Sequence, residues 1–153
     1  MTIRDAYEQA RKKYNLPSFA DIDKEFEIAS IEAEGSALRE VRHRIQERLE
    51  FGVGILDTIC QPDPNNVRSM IECSFFNDME KRKAYELSQR VATLWRSLTE
   101  AELLNEEKSD AEFIKLAYKE WQMLKEHLLT FVRKMRESWK GTQQSREELG
   151  YLG

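Results

Sequence analysis

From Phe113 to Trp139 the apolar residues recur every three or four positions: Phe113, Ile114, Ala117, Trp121, Leu124, Leu128, Phe131, Val132, Met135 and Trp139. At about 100° per residue they share an arc of roughly 100°, the stripe of one amphipathic helix about 45 Å long. Ser109 and Glu112 have capping-box spacing before it, and Gly141 stands where a glycine stop belongs. Burying each large side chain stabilises by about 1.5–3 kcal/mol, so this stripe alone can anchor a core.

The same period runs through two further long segments. Residues 36–60 carry Leu38, Val41, Ile45, Leu49, Val53, Leu56 and Ile59 or Cys60. Gly52 and Gly54 inside this helix suggest that a neighbouring helix backbone passes close by. Asn77, with Glu80 in the capping-box position, opens another helix with Ala84, Leu87, Val91, Leu94, Leu98 and Ala101 on one face. Shorter helices are expected from Thr2 to Tyr14, from Ser18 to Gly35, and from Val67 to Ser74, the last burying Val67, Met70 and Ile71. The pattern predicts an all-α antiparallel helical bundle of five to six helices, three of them long. Residues 1–141 are expected to form a single helical-bundle domain. The polar segment 142–153 reads as a flexible C-terminal tail in which Leu149, Tyr151 and Leu152 are the apolar residues.

Composition agrees with the pattern. Glu outnumbers Asp by 21 to 7, and Gly and Pro together are scarce, a bias toward helix formers over helix breakers. The net charge of −4 gives no general attraction to nucleic acid or to an anionic membrane. Cys60 and Cys73 lie outside any Cys-x-x-Cys arrangement and in apolar surroundings, the setting of reduced thiols. The first residues lack the apolar core of a signal peptide, and no apolar run reaches membrane-spanning length, so the expected location is the cytoplasm.

Candidate chemistry is sparse. Glu40 and His43 form a Glu-x-x-His, which supplies two ligands in di-iron bundles. Here it occurs once, and the helical wheel turns both residues about 140–200° from the core stripe, so no metal is expected. No glycine-rich phosphate loop occurs, and no Ser or Cys stands in a recognisable partnership with His43 or His127, so neither cofactor nor catalytic group is assigned. Glu120, about 60° from its helix's stripe, sits at the boundary of the core, where burial would raise its pKa.

Two surfaces remain. Ile28 and Ile31 point about 120–180° away from the Phe19, Ile22 and Phe26 stripe. Ringed by Asp21, Glu27, Glu32 and Glu34, they read either as a sandwiched part of the core or as a partner-binding patch. Arg39 and Arg42 share a flank of the third helix with His43, the candidate surface for nucleic acid, although interleaved glutamates argue against phosphate binding. The favoured function is therefore a non-enzymatic helical interaction protein, an adaptor or subunit that binds a protein partner or forms a homo-oligomer. The alternative is a nucleic-acid-associated protein that uses the arginine-bearing flank.

Overall fold

Polar side chains start the helices where the sequence places them. The Asp5 N–H donates to Thr2 Oγ1 at 3.2 Å and the Asp21 N–H to Ser18 Oγ at 3.1 Å. Asn77 and Glu80 bond reciprocally, each side chain accepting from the other's N–H at 2.8 and 3.0 Å. In the computed structural model, which describes residues 1–32 and 34–152, with 144–152 described by backbone alone, six α-helices result. They are α1 (Ile3–Tyr14), α2 (Phe19–Phe26), α3 (Ala37–Cys60), α4 (Val67–Ser74), α5 (Asp78–Leu104) and α6 (Glu107–Leu152). The fold is an all-α antiparallel bundle in which the helices pack on one another, with no strand among the described residues. None of these helices is long and apolar enough to cross a membrane.

The chain divides into two compact units, residues 1–51 with 89–123, and residues 52–88 with 124–153. In the first unit, α1 contributes Ile3, Tyr7 and Ala10, and α2 contributes Phe19, Ile22 and Phe26. Leu38, Val41, Ile45 and Leu49 of α3, Val91, Leu94 and Leu98 of α5, and Ile114, Ala117 and Trp121 of α6 are buried in the same unit. Tyr7 meets Phe19 edge-on at 5.8 Å and donates its hydroxyl to the Pro17 carbonyl at 2.6 Å, which fixes the α1–α2 corner. Trp121 packs 6.0 Å from Phe26 and donates its indole N–H to the buried Glu25 carboxylate at 2.9 Å.

The expected second helix is shorter than its periodicity implied. Glu27 adopts the left-handed conformation at φ 55°, its N–H bonding back to Asp23 O, and so ends α2 at Phe26. A 3-10 turn, Ile28–Ser30, follows, held by the Ala29 N–H on Asp23 Oδ1 at 2.7 Å. This break rotates the chain, so Ile28 and Ile31 are buried in the first unit. Of the two readings of Ile28 and Ile31, the sandwiched one holds and the partner-binding patch is corrected: both residues belong to the core, the wheel phase having been lost at Glu27.

In the second unit, Leu56 and Ile59 of α3, Ala84 and Leu87 of α5, and Leu124, Leu128, Phe131 and Met135 of α6 are buried beside Phe76. Phe76 stacks edge-on against Phe131 at 5.8 Å and Phe75 against Trp139 at 5.3 Å. Helix α4 corrects a second expectation, because it buries none of its residues, and Val67 is 73% exposed. Its attachment is polar: Trp139 donates to Glu72 Oε2 at 3.0 Å, and the Cys73 thiol donates to Ile59 O at 3.3 Å. Facing Glu72 and Cys73 inward turns Val67 and Met70 outward.

Two glycine readings also change. Gly141 does not end α6, and Thr142 continues the helix with its hydroxyl on Ser138 O at 3.1 Å. Leu149, Tyr151 and Leu152 of the expected tail lie outside the residues whose side chains are described. A Cβ on Gly54 would meet nothing within 4 Å, so no helix backbone passes close there. Gly54→Ala is therefore expected to stabilise by about 1 kcal/mol through helix propensity and a less flexible unfolded chain. Glu27→Gly, which relieves a left-handed non-glycine residue, is expected to stabilise by about 0.5–1 kcal/mol. Chemical denaturation checks both, and a loss of stability in either contradicts the backbone assignment at that position.

Candidate functional site: the groove of the α5–α6 hairpin

Asn105 makes the turn between α5 and α6. It adopts the left-handed conformation at φ 51°, which asparagine tolerates well, and its N–H bonds to Ala101 O at 3.0 Å. The tip of this hairpin is tied to α3 by two arginines. Arg39 donates to Asn105 Oδ1 at 2.8 Å, and Arg42 donates to Asp110 Oδ1 at 2.8 Å. Arg42 is 2% exposed and Asp110 3%, so this ion pair is almost completely withdrawn from water. Burial pushes the Asp110 carboxyl above its ordinary value, while the charges of Arg42, Arg39 and His43 draw it back down.

The placement of Arg42 corrects the alternative reading, an arginine-bearing flank of α3 for nucleic acid. Arg39 is exposed but engaged with Asn105, whereas Arg42 is buried and committed to Asp110. The two do not form an open cationic surface. The Glu40 carboxylate lies 3.9 Å from His43 Nδ1, and among the described residues no three His, Cys, Asp or Glu side chains group as metal ligands would.

Further along the hairpin, Arg90 of α5 donates twice to Glu120 of α6, at 2.6 and 3.2 Å. These bonds hold the Glu120 carboxyl below its ordinary value, opposite to the rise that burial alone would produce. The fork geometry clamps the two helices side by side.

Between the tip and this clamp lies an open groove of about 200 Å³. Its walls are Ser97, Glu100, Ala101 and Leu104 from α5, and Ser109, Glu112, Phe113 and Leu116 from α6. Each set follows i, i+3, i+4, i+7 spacing, one face of a helix. On α6 this face lies about 120° around from the stripe of Asp110, Ile114, Ala117 and Trp121, on the outer flank of the hairpin. Leu104 is 50% exposed and Leu116 41%, while Leu103 beside them is 81% exposed. Ser109 and Glu112, expected to cap the last helix, instead lie within α6 and line this groove.

Sequence reasoning assigned none of these leucines to a site. The available signal was negative: Leu103, Leu104 and Leu116 fall off the apolar stripes of α5 and α6. Two other depressions in the first unit are less distinctive. One is lined by small residues, with Lys13 and Glu107 4.0 Å apart, and the other mixes Arg44 and Arg48 with Glu27 and Glu47 beside Phe51. Comparison of the chain with protein-family models, with curated proteins and with solved structures gives no match.

The clamp gives a pH-dependent prediction. A carboxyl whose pKa is lower in the folded than in the unfolded chain stabilises folding above its unfolded pKa, about 4.3 for Glu, and that stabilisation is lost as pH falls through the lowered value. Glu120→Gln should therefore melt below the wild type at pH 7, and the two melting curves should converge as pH falls well below 4. A melting difference that persists unchanged into acid contradicts the clamp.

Proposed function

We propose that this chain is a non-enzymatic helical interaction protein that docks a protein partner, or a second copy of itself, through the α5–α6 groove. The observation that carries this reading is a groove floored by the buried Ala101 and Phe113, with the half-exposed Leu104 and Leu116 at its two ends. Scattered surface leucines are ordinary, but apolar side chains grouped in a depression and rimmed by carboxylates have the anatomy of a contact surface. The walls belong to a hairpin clamped by Arg90–Glu120 and anchored by Arg42–Asp110, so the groove is preorganised and its ordering cost on binding is small. The free thiols of Cys60 and Cys73 suit a reducing compartment such as the cytoplasm.

The double variant Leu104→Glu/Leu116→Glu tests this reading. Both positions are partly exposed, so each change should alter stability by less than about 0.5 kcal/mol. Light scattering for self-association and affinity capture with mass spectrometry for partners should show an association in the wild type that the variant loses. Association retained by the folded variant, or none in the wild type, contradicts the proposal.

A further inference from the structure

We infer that the α5–α6 groove receives about two turns of an amphipathic helix from a partner protein, with an apolar stripe flanked on both sides by Lys or Arg. The inference rests on the docking reading above and adds the chemistry of the occupant. Each wall runs eight residues along its helix, from Ser97 to Leu104 and from Ser109 to Leu116, a rise of about 10 Å. In an antiparallel pair joined at Asn105, Leu104 stands opposite Ser109 and Ser97 opposite Leu116, so the two leucines mark opposite ends of the groove. Ala101 and Phe113, both buried, form the floor between them.

This geometry selects a helix rather than a strand. Away from the helix ends at Leu104 and Ser109, the backbone donors and acceptors of α5 and α6 are spent on their own helices, so the groove offers no sheet edge to an extended peptide. What it offers is the valley between two parallel ridges of side chains, into which the ridge of a third helix packs. The volume of about 200 Å³ suits one or two aliphatic side chains, given that a cavity of roughly 150 Å³ takes up benzene.

The charge of the occupant follows from the rims. Glu100 on one wall and Glu112 on the other are the charged residues lining the groove, and both are exposed. Neither makes an ion pair among the described residues, unlike Glu120, which is taken by Arg90. Two carboxylates that no cation meets within ion-pair distance, beside an apolar floor, favour a cation on each side of an incoming apolar ridge over a phosphate or an anionic lipid. The occupant is therefore a basic amphipathic helix, and nucleic acid and anionic membranes are disfavoured at this face.

The test uses the full chain and two fluorescent helical peptides of about 18 residues, both with a leucine and alanine stripe. One carries lysines on the two flanks and the other carries glutamates. Fluorescence anisotropy should show the lysine peptide binding at least about tenfold more tightly than the glutamate peptide, with the difference shrinking in high salt. Glu100→Lys/Glu112→Lys, whose fold is checked by circular dichroism, should reverse the preference, and Leu104→Glu/Leu116→Glu should weaken the lysine peptide strongly. Equal binding of both peptides, abolished by the leucine changes, overturns the charge inference but leaves the docking reading intact. Binding that ignores the leucine changes, or no binding of either peptide, overturns the inference outright. So does a leucine-dependent dimer that the lysine peptide does not displace, because the occupant is then a second copy; each of these outcomes is distinct from the failure of association tested above.

Discussion

The first unit is organised around one constraint, that a buried arginine must face a carboxylate. Arg42 and Asp110 are both almost fully buried and meet at 2.8 Å, although they stand 68 positions apart in the chain. Withdrawing two charges from water costs several kcal/mol per ion, and mutual attraction offsets this only where geometry and further hydrogen bonds are good. Here the offset is incomplete, since Arg42 Nε is buried without a partner among the described residues. Such a pair adds little net stability compared with apolar residues of similar size. Its effect is selective: any slippage of α3 against the start of α6 leaves a buried charge unpaired, so alternative registers are penalised heavily.

That register determines what the outer surface presents. With Asp110 turned toward α3, the face of α6 that carries Ser109, Glu112 and Leu116 is turned outward. Arg39 on Asn105 holds the turn, and Arg90 on Glu120 holds the stem, so the matching face of α5 lies alongside. The same logic places α2. The Trp121 indole on the Glu25 carboxylate gives a buried acid a partner, and the left-handed Glu27 then folds Ile28 and Ile31 inward. In the second unit, polar attachment has the opposite consequence for α4, since securing Glu72 and Cys73 leaves Val67 and Met70 outside.

The long helices were legible because their stripes repeat over many turns, and errors in single residues average out. The caps at Thr2, Ser18 and Asn77 were legible because they depend on neighbours three residues apart. Short elements were not. Eight residues of α4 give the same apolar spacing whether that face points inward or outward, and the deciding contacts, from Trp139 and to Ile59 O, come from distant parts of the chain. Glu27 gives no local hint of its left-handed backbone, because glutamate has no preference for it, unlike Asn15 and Asn105 at the other two such turns. For that reason the pattern left Ile28 and Ile31 open between core and partner patch. Arg42 was placed on a surface because one-dimensional patterning cannot see that Asp110 waits to neutralise it. The groove required two faces from two helices, and only the hairpin brings them together.

The most direct measurement is a double-mutant cycle between positions 42 and 110, using Arg42→Met, Asp110→Leu and the combination, followed by denaturant unfolding. Each single change strands a buried charge and should cost about 3–5 kcal/mol, whereas the double variant, which removes both charges, should lose far less than the sum or gain stability. Small, additive losses would contradict the claim that this pair sets the register on which the hairpin and its groove depend.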